Sequence, residues 1–143
     1  MHIYARLLAA SLILFVAACD ASKTTNSSQG NTAQDPNAPL GQLPDSAIPT
    51  HYRIALTIKP EQPRYSGTVE IDLDLKAPQR TIYLHGHELT VDTVSAQSQG
   101  KPPVKGTYAE VHPSGVAKLT FDEELPKGLI TLHLAFNAAF EAA

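Results

Sequence analysis

The sequence is short of the residues that mark several classes of protein. Its 143 residues contain one cysteine, Cys19. One thiol makes no intramolecular disulfide and supplies at most one ligand to a metal. Tryptophan is absent and aromatics make up 6%, so a core has to be built from aliphatic side chains. Basic charge is sparse: 11 Lys and Arg face 14 Asp and Glu, for a net charge of −3. No three basic residues are consecutive, which excludes a basic stripe for nucleic acid. No G-x-S-x-G and no phosphate-cradling glycine loop occur. Beyond the first twenty residues no segment carries a 3.6-residue apolar period.

What is present begins at the amino terminus. Residues 1–6 (MHIYAR) bring positive charge, and residues 7–18 (LLAASLILFVAA) are apolar or small. A charged start followed by so short an apolar run reads as a secretory signal, too short for a mature membrane span. Val16-Ala17-Ala18-Cys19 resembles the lipobox of bacterial lipoproteins. That resemblance implies cleavage between Ala18 and Cys19, lipidation of the Cys19 thiol, and a mature chain held in the bacterial cell envelope. Each buried CH₂ of the acyl chains contributes about 0.8 kcal/mol, so two or three chains anchor firmly. Asp20 follows directly; in enterobacterial lipoproteins an aspartate there implies retention at the inner membrane, facing the periplasm.

Residues 19–42 are rich in Ser, Thr, Asn, Gln, Ala, Gly and Pro, with Leu40 the only large apolar side chain. Such a stretch buries too little surface to offset its ordering entropy, and it reads as a disordered, flexible tether.

From residue 50 onward the period is two. Tyr52, Ile54, Leu56 and Ile58 alternate with His51, Arg53, Ala55 and Thr57. Val69, Ile71, Leu73 and Leu75 alternate with Thr68, Glu70, Asp72 and Asp74. This is the pattern of strands with one buried and one wet face. Further strands are expected in 81–86, 89–98, 105–113, 115–122 and 128–136, where Ile130, Leu132, Leu134 and Phe136 share a face. Pro60, Pro63, Pro78, Gly100, Pro113, Gly115, Pro126 and Gly128 punctuate them in the manner of an antiparallel meander. The Ala-rich tail, 138–143, is a weak helix candidate. The fold class is all-β: an antiparallel sheet or sandwich of about seven strands.

The order of landmarks resembles the start of the aminopeptidase N family of zinc metallopeptidases. Leu43-Pro44, Pro49, Tyr52, Ile54 and Leu56 fit its opening. Tyr65, Gly67, Val69, Ile71 and Leu73 fit the next strand. Ile82, Leu84, His85, Leu89 and Val94 fit the third landmark, and Leu125, Gly128, Leu132, Leu134 and Phe136 the last. Ala138 stands where the family usually has glycine. The resemblance implies that 43–143 is part of a saddle-like N-terminal β-domain. In the family that domain continues and is followed by a catalytic domain with G-A-M-E-N, H-E-x-x-H and a distant zinc-binding Glu. None of these motifs occurs here. The resemblance therefore implies no catalytic and no metal-binding residue in this chain, with zinc expected only in a full-length enzyme. The implied partners are the membrane, through Cys19, and the catalytic domain of such an enzyme. Alternatives are a stand-alone envelope lipoprotein module that binds a protein partner, and a non-functional gene fragment. A partial β-domain is expected to leave one sheet edge unpaired and an apolar face uncovered, and hence to self-associate.

One stretch imitates a zinc motif. His87-Glu88-Leu89-Thr90-Val91 is H-E-x-x-H with Val91 in the final place. The zinc motif needs two histidines on one helical turn, whereas Thr90, Val91, Thr93 and Val94 favour a strand. On a strand, i and i+4 lie about 13 Å apart. His85 and His87 would share a strand face, but they need further ligands, for which His51, His112 and His133 are the candidates. The plain reading has His85 hydrogen-bonded near a turn and His87 exposed. Asp72 with Asp74, and Asp122-Glu123-Glu124, read as solvated carboxylates.

Overall fold

A computed structural model describes residues 34–140. Seven strands make up most of it: β1 (Ala47–Thr57), β2 (Arg64–Leu75), β3 (Gln79–His85), β4 (Thr90–Ser98), β5 (Val104–His112), β6 (Val116–Leu125) and β7 (Gly128–Ala139). The described residues contain no helix. Ala138 and Ala139, read from sequence as the start of a weak helix, end β7 instead, because Tyr65 and Arg64 of β2 pair with them.

The strands form one antiparallel sheet in the order β1-β2-β7-β4-β5-β6-β3. This departs from the expected meander. β7 inserts between β2 and β4, and β3 crosses to the far edge to pair with β6. Proline and glycine mark where strands stop, not which strands pair.

The order forces the sheet to curl. β2 and β3 lie five steps apart, about 24 Å in a flat sheet. Four residue steps from Leu75 to Gln79 reach only about 14 Å. Their ends must therefore meet, and the sheet folds over into a half-barrel. The core confirms it: Ile71, Leu73 and Leu75 of β2 pack in one cluster with Ile82 of β3, Leu119, Phe121 and Leu125 of β6, and Leu132 of β7. Leu75, Leu119, Phe121, Leu125 and Leu132 are almost wholly inaccessible.

The barrel stays open along β1. Tyr52, Ile54, Leu56 and Ile58 alternate as the sequence predicts, but they are 55, 63, 51 and 56% exposed. The expected buried face of β1 has nothing packed over it among the described residues. Among the described residues β1 is also an edge strand, paired with β2 alone. β1 thus presents an open edge and an apolar face that no described residue covers.

The stretch read as tether is anchored at its end. Ala38 is buried against Val111 and Val116, with Leu43 and Tyr83 beside them. The Asp35 amide donates to the Val111 carbonyl at 3.2 Å, and Lys118 Nζ lies 2.9 Å from Asp35 Oδ2. Within residues 35–42, Asp35 and Ala38 are thus tied to the sheet. Alanine in a polar stretch gives no sign that the sheet offers it an apolar seat. Residues 1–33, including Ala18 and Cys19, lie outside the described residues.

Candidate functional site

One apolar concavity lies within the curl of the sheet. It has a volume of about 680 Å³. Its wall is mainly aliphatic: Ile54 from β1, Ile71 from β2, Ile82 and Leu84 from β3, Leu134 from β7, and Leu89 from the β3–β4 connection. Tyr108 and His85 are among the few polar groups that reach it. A wall of this kind favours apolar packing and offers no nucleophile beside a base.

The near-motif lies at one end of this face. β3 stops at His85, so His87, Glu88 and Leu89 belong to a connection and not to a strand. The strand-face pairing expected of His85 and His87 is thereby lost. Glu110 of β5 organises the turn instead. Its Oε1 lies 3.0 Å from His87 Nδ1, and its Oε2 accepts the Glu88 amide at 3.1 Å. Glu88 adopts a left-handed backbone, φ 55°. Gly86 donates its amide to the Gly115 carbonyl at 2.8 Å, and its own carbonyl accepts the Tyr108 hydroxyl at 2.7 Å. His87 is therefore a hydrogen-bonding partner of Glu110. His85 is exposed on the cavity rim and has no side-chain hydrogen bond among the described residues. Val91 pairs with Phe136 in the β4–β7 ladder.

The other candidate groups are dispersed. His51 is on β1, His112 turns back to Ser114, and His133 is on β7. Among the described residues no group of three His, Cys, Asp or Glu side chains is arranged to hold a metal. Asp122, Glu123 and Glu124 are exposed on β6, and Asp74 is exposed on β2.

Asp72 differs from these, and sequence reading alone undervalued it. Arg53 grips it with two prongs, Nη1 to Oδ2 at 2.7 Å and Nη2 to Oδ1 at 2.9 Å, while Nε reaches Glu70 Oε2 at 2.7 Å. Thr131 donates to Asp72 Oδ1 at 2.8 Å, and His133 Nδ1 lies 3.3 Å from Glu70 Oε1. The chain of contacts laces β1, β2 and β7 on the wet face. The Arg53 hydrogen bonds, with that of Thr131, hold the Asp72 carboxyl well below the usual range, and Arg53 also lowers Glu70. Once β1 and β2 are paired as a hairpin, Arg53 falls opposite Glu70; that register was the signal available in the sequence.

Residues 48–142 match the Peptidase M1 N-terminal domain family. The chain belongs to that family. Similar proteins include Aminopeptidase M1-C of Oryza sativa subsp. japonica, 31% identical over 96 residues, and Aminopeptidase M1 of Arabidopsis thaliana, 32% identical over 100 residues. Each match covers 67% of this chain and 11% of the plant protein. A crystal structure of an M1 zinc metallopeptidase from Deinococcus radiodurans, solved with a Tyr-Ser-Ala substrate, shares the fold with a TM-score of 0.52 and 20% identity. That match covers 77% of this chain and 23% of the other. The M1 landmarks now have physical reasons. A Cβ on Gly67 would sit 2.8 Å from Phe136 Cζ, so the landmark glycine lets β7 close on β2. Gly128 starts β7 in a left-handed conformation, φ 104°.

Proposed function

We propose that this chain is the lipid-anchored, non-catalytic N-terminal β-domain of an M1-type zinc aminopeptidase of the bacterial envelope. The observation that carries the reading is the family match over 48–142. In this reading the Cys19 thiol carries the lipid, after cleavage between Ala18 and Cys19, and holds the domain at the membrane. The domain serves as scaffold for a catalytic part that carries H-E-x-x-H and the zinc, and that removes N-terminal residues from peptides. The 143 residues by themselves hydrolyse no peptide.

Two measurements test this. A clickable fatty acid fed to bacteria expressing the chain should label the wild type and not Cys19→Ala; equal labelling of both would refute the anchor. The purified chain, supplied with zinc, should leave aminoacyl chromogenic substrates uncleaved. Turnover that follows the chain through purification would refute the scaffold role.

A further inference from the structure

We propose that this chain pairs with a second copy of itself along the outer edge of β1, antiparallel and centred on Ile54. The proposal concerns the β1 edge alone and does not depend on membrane anchoring or on a catalytic partner.

Three observations select that occupant. First, the outer edge of β1 carries no strand among the described residues. Its N–H and C=O groups are a template for another strand. Proteins that keep such an edge single place a charge or a proline on it. Here Pro49 precedes the bulge at Thr50, and the regular run is His51–Thr57. Arg53 is the one Lys, Arg, Asp or Glu in that run, and Glu70 and Asp72 already engage it. Within His51–Thr57, therefore, no uncompensated charge stands against a copy.

Second, the run is self-complementary. A two-fold axis normal to the sheet leaves both apolar faces on one side. Centred on Ile54, it sets Ile54 against Ile54, Tyr52 against Leu56, Arg53 against Ala55 and His51 against Thr57. All seven residues pair, and no like charges oppose. A centre on Arg53 would oppose two guanidinium groups, which is destabilising. A centre on Ala55 would forfeit the pairs of His51 and Tyr52 within the strand.

Third, the side chains that this register brings together are the exposed ones. Tyr52, Ile54 and Leu56 are all more than half exposed. Aromatic–aliphatic and aliphatic pairs across antiparallel strands are the contacts that stabilise a sheet. The paired copies would form one continuous sheet with a shared apolar trough.

The test uses the full chain carrying Cys19→Ser, so that an engineered thiol is the only one. Opposed Cα atoms lie about 4.5–5.5 Å apart, within disulfide range. Under mild oxidation Ile54→Cys should give a disulfide-linked dimer. His51→Cys alone should not, because its own copy lies at the far end of the pairing. Mixed His51→Cys and Thr57→Cys chains should cross-link to each other. Sedimentation should show a dimer that Ile54→Lys converts to monomer with unchanged far-UV circular dichroism. A monomeric unmutated chain, or cross-linking as strong for His51→Cys alone as for Ile54→Cys, would overturn the proposal. Either result leaves the Cys19 labelling and the peptidase assay to be judged separately.

Discussion

The hydroxyl of Tyr108 donates to the carbonyl of Gly86 at 2.7 Å, joining the middle of β5 to the turn that follows β3. The phenol is half-buried, and burial, with the nearby charge of Glu110, pushes its pKa up to about 12. β3 and β5 are not neighbours in the sheet; both pair with β6. The contact therefore closes a triangle over β6 and fixes the start of the near-motif.

Tyr108→Phe should destabilise the chain by about 0.5–1.5 kcal/mol, the usual loss for one hydrogen bond, read as a lower thermal midpoint. The raised pKa gives the pH sign. Tyr108 is neutral in the folded chain to a higher pH than in the unfolded chain. Its contribution is full below pH 10 and is lost as pH rises through about 12. The wild type should lose stability across that alkaline window more steeply than Tyr108→Phe, and parallel curves would contradict it.

Asp72 carries the opposite sign. Its carboxyl is held below the ordinary value of 3.8 by Arg53 and Thr131. Its contribution is present above pH 3.8 and is lost as pH falls through the lower folded value. Asp72→Asn should lower the thermal midpoint at neutral pH and flatten its fall in acid. A variant that keeps the wild-type acid slope would show that the network does not bear on folding.

Gly106 faces Phe121 from the neighbouring strand. A Cβ there would lie 2.8 Å from Phe121 Cδ1 and 3.1 Å from the Thr120 carbonyl. Phe121 is 1% exposed and has no room to yield. Gly106→Ala should cost about 1–3 kcal/mol by overpacking, measured by denaturant titration. A neutral result would mean that β5 moves away from β6 at little cost.

The strap at 35–43 is held by the Lys118–Asp35 ion pair, the Asp35 amide hydrogen bond to Val111 and the apolar contacts of Ala38 and Leu43. Lys118→Ala should speed limited proteolysis within 35–43 while leaving cleavage of the sheet unchanged. Cleavage at the wild-type rate would assign the hold to Ala38 and the Asp35 amide.

The strands themselves were legible. Alternation at Ile71, Leu73 and Leu75, and at Ile130, Leu132 and Leu134, reports a backbone whose side chains point alternately to two faces. Turn residues report where that backbone breaks. The M1 landmarks were legible for the same reason, since Gly67 and Gly128 are places where a side chain or an ordinary backbone angle does not fit.

Pairing order was not legible, because alternation is the same whichever strand lies alongside. Only the tertiary structure put β7 between β2 and β4 and carried β3 to the far edge. That order curls the sheet, buries Leu75 and Leu125, and leaves Ile54 and Leu56 in the open. It also brought Glu110 beneath His87 and so turned an apparent zinc motif into a turn held by one carboxylate. By itself the sequence determined which residues are strand and which face of each strand is apolar, because those follow from the period of the backbone. Which apolar faces become core depended on long-range pairing, a property of the closed sheet and not of any segment of it.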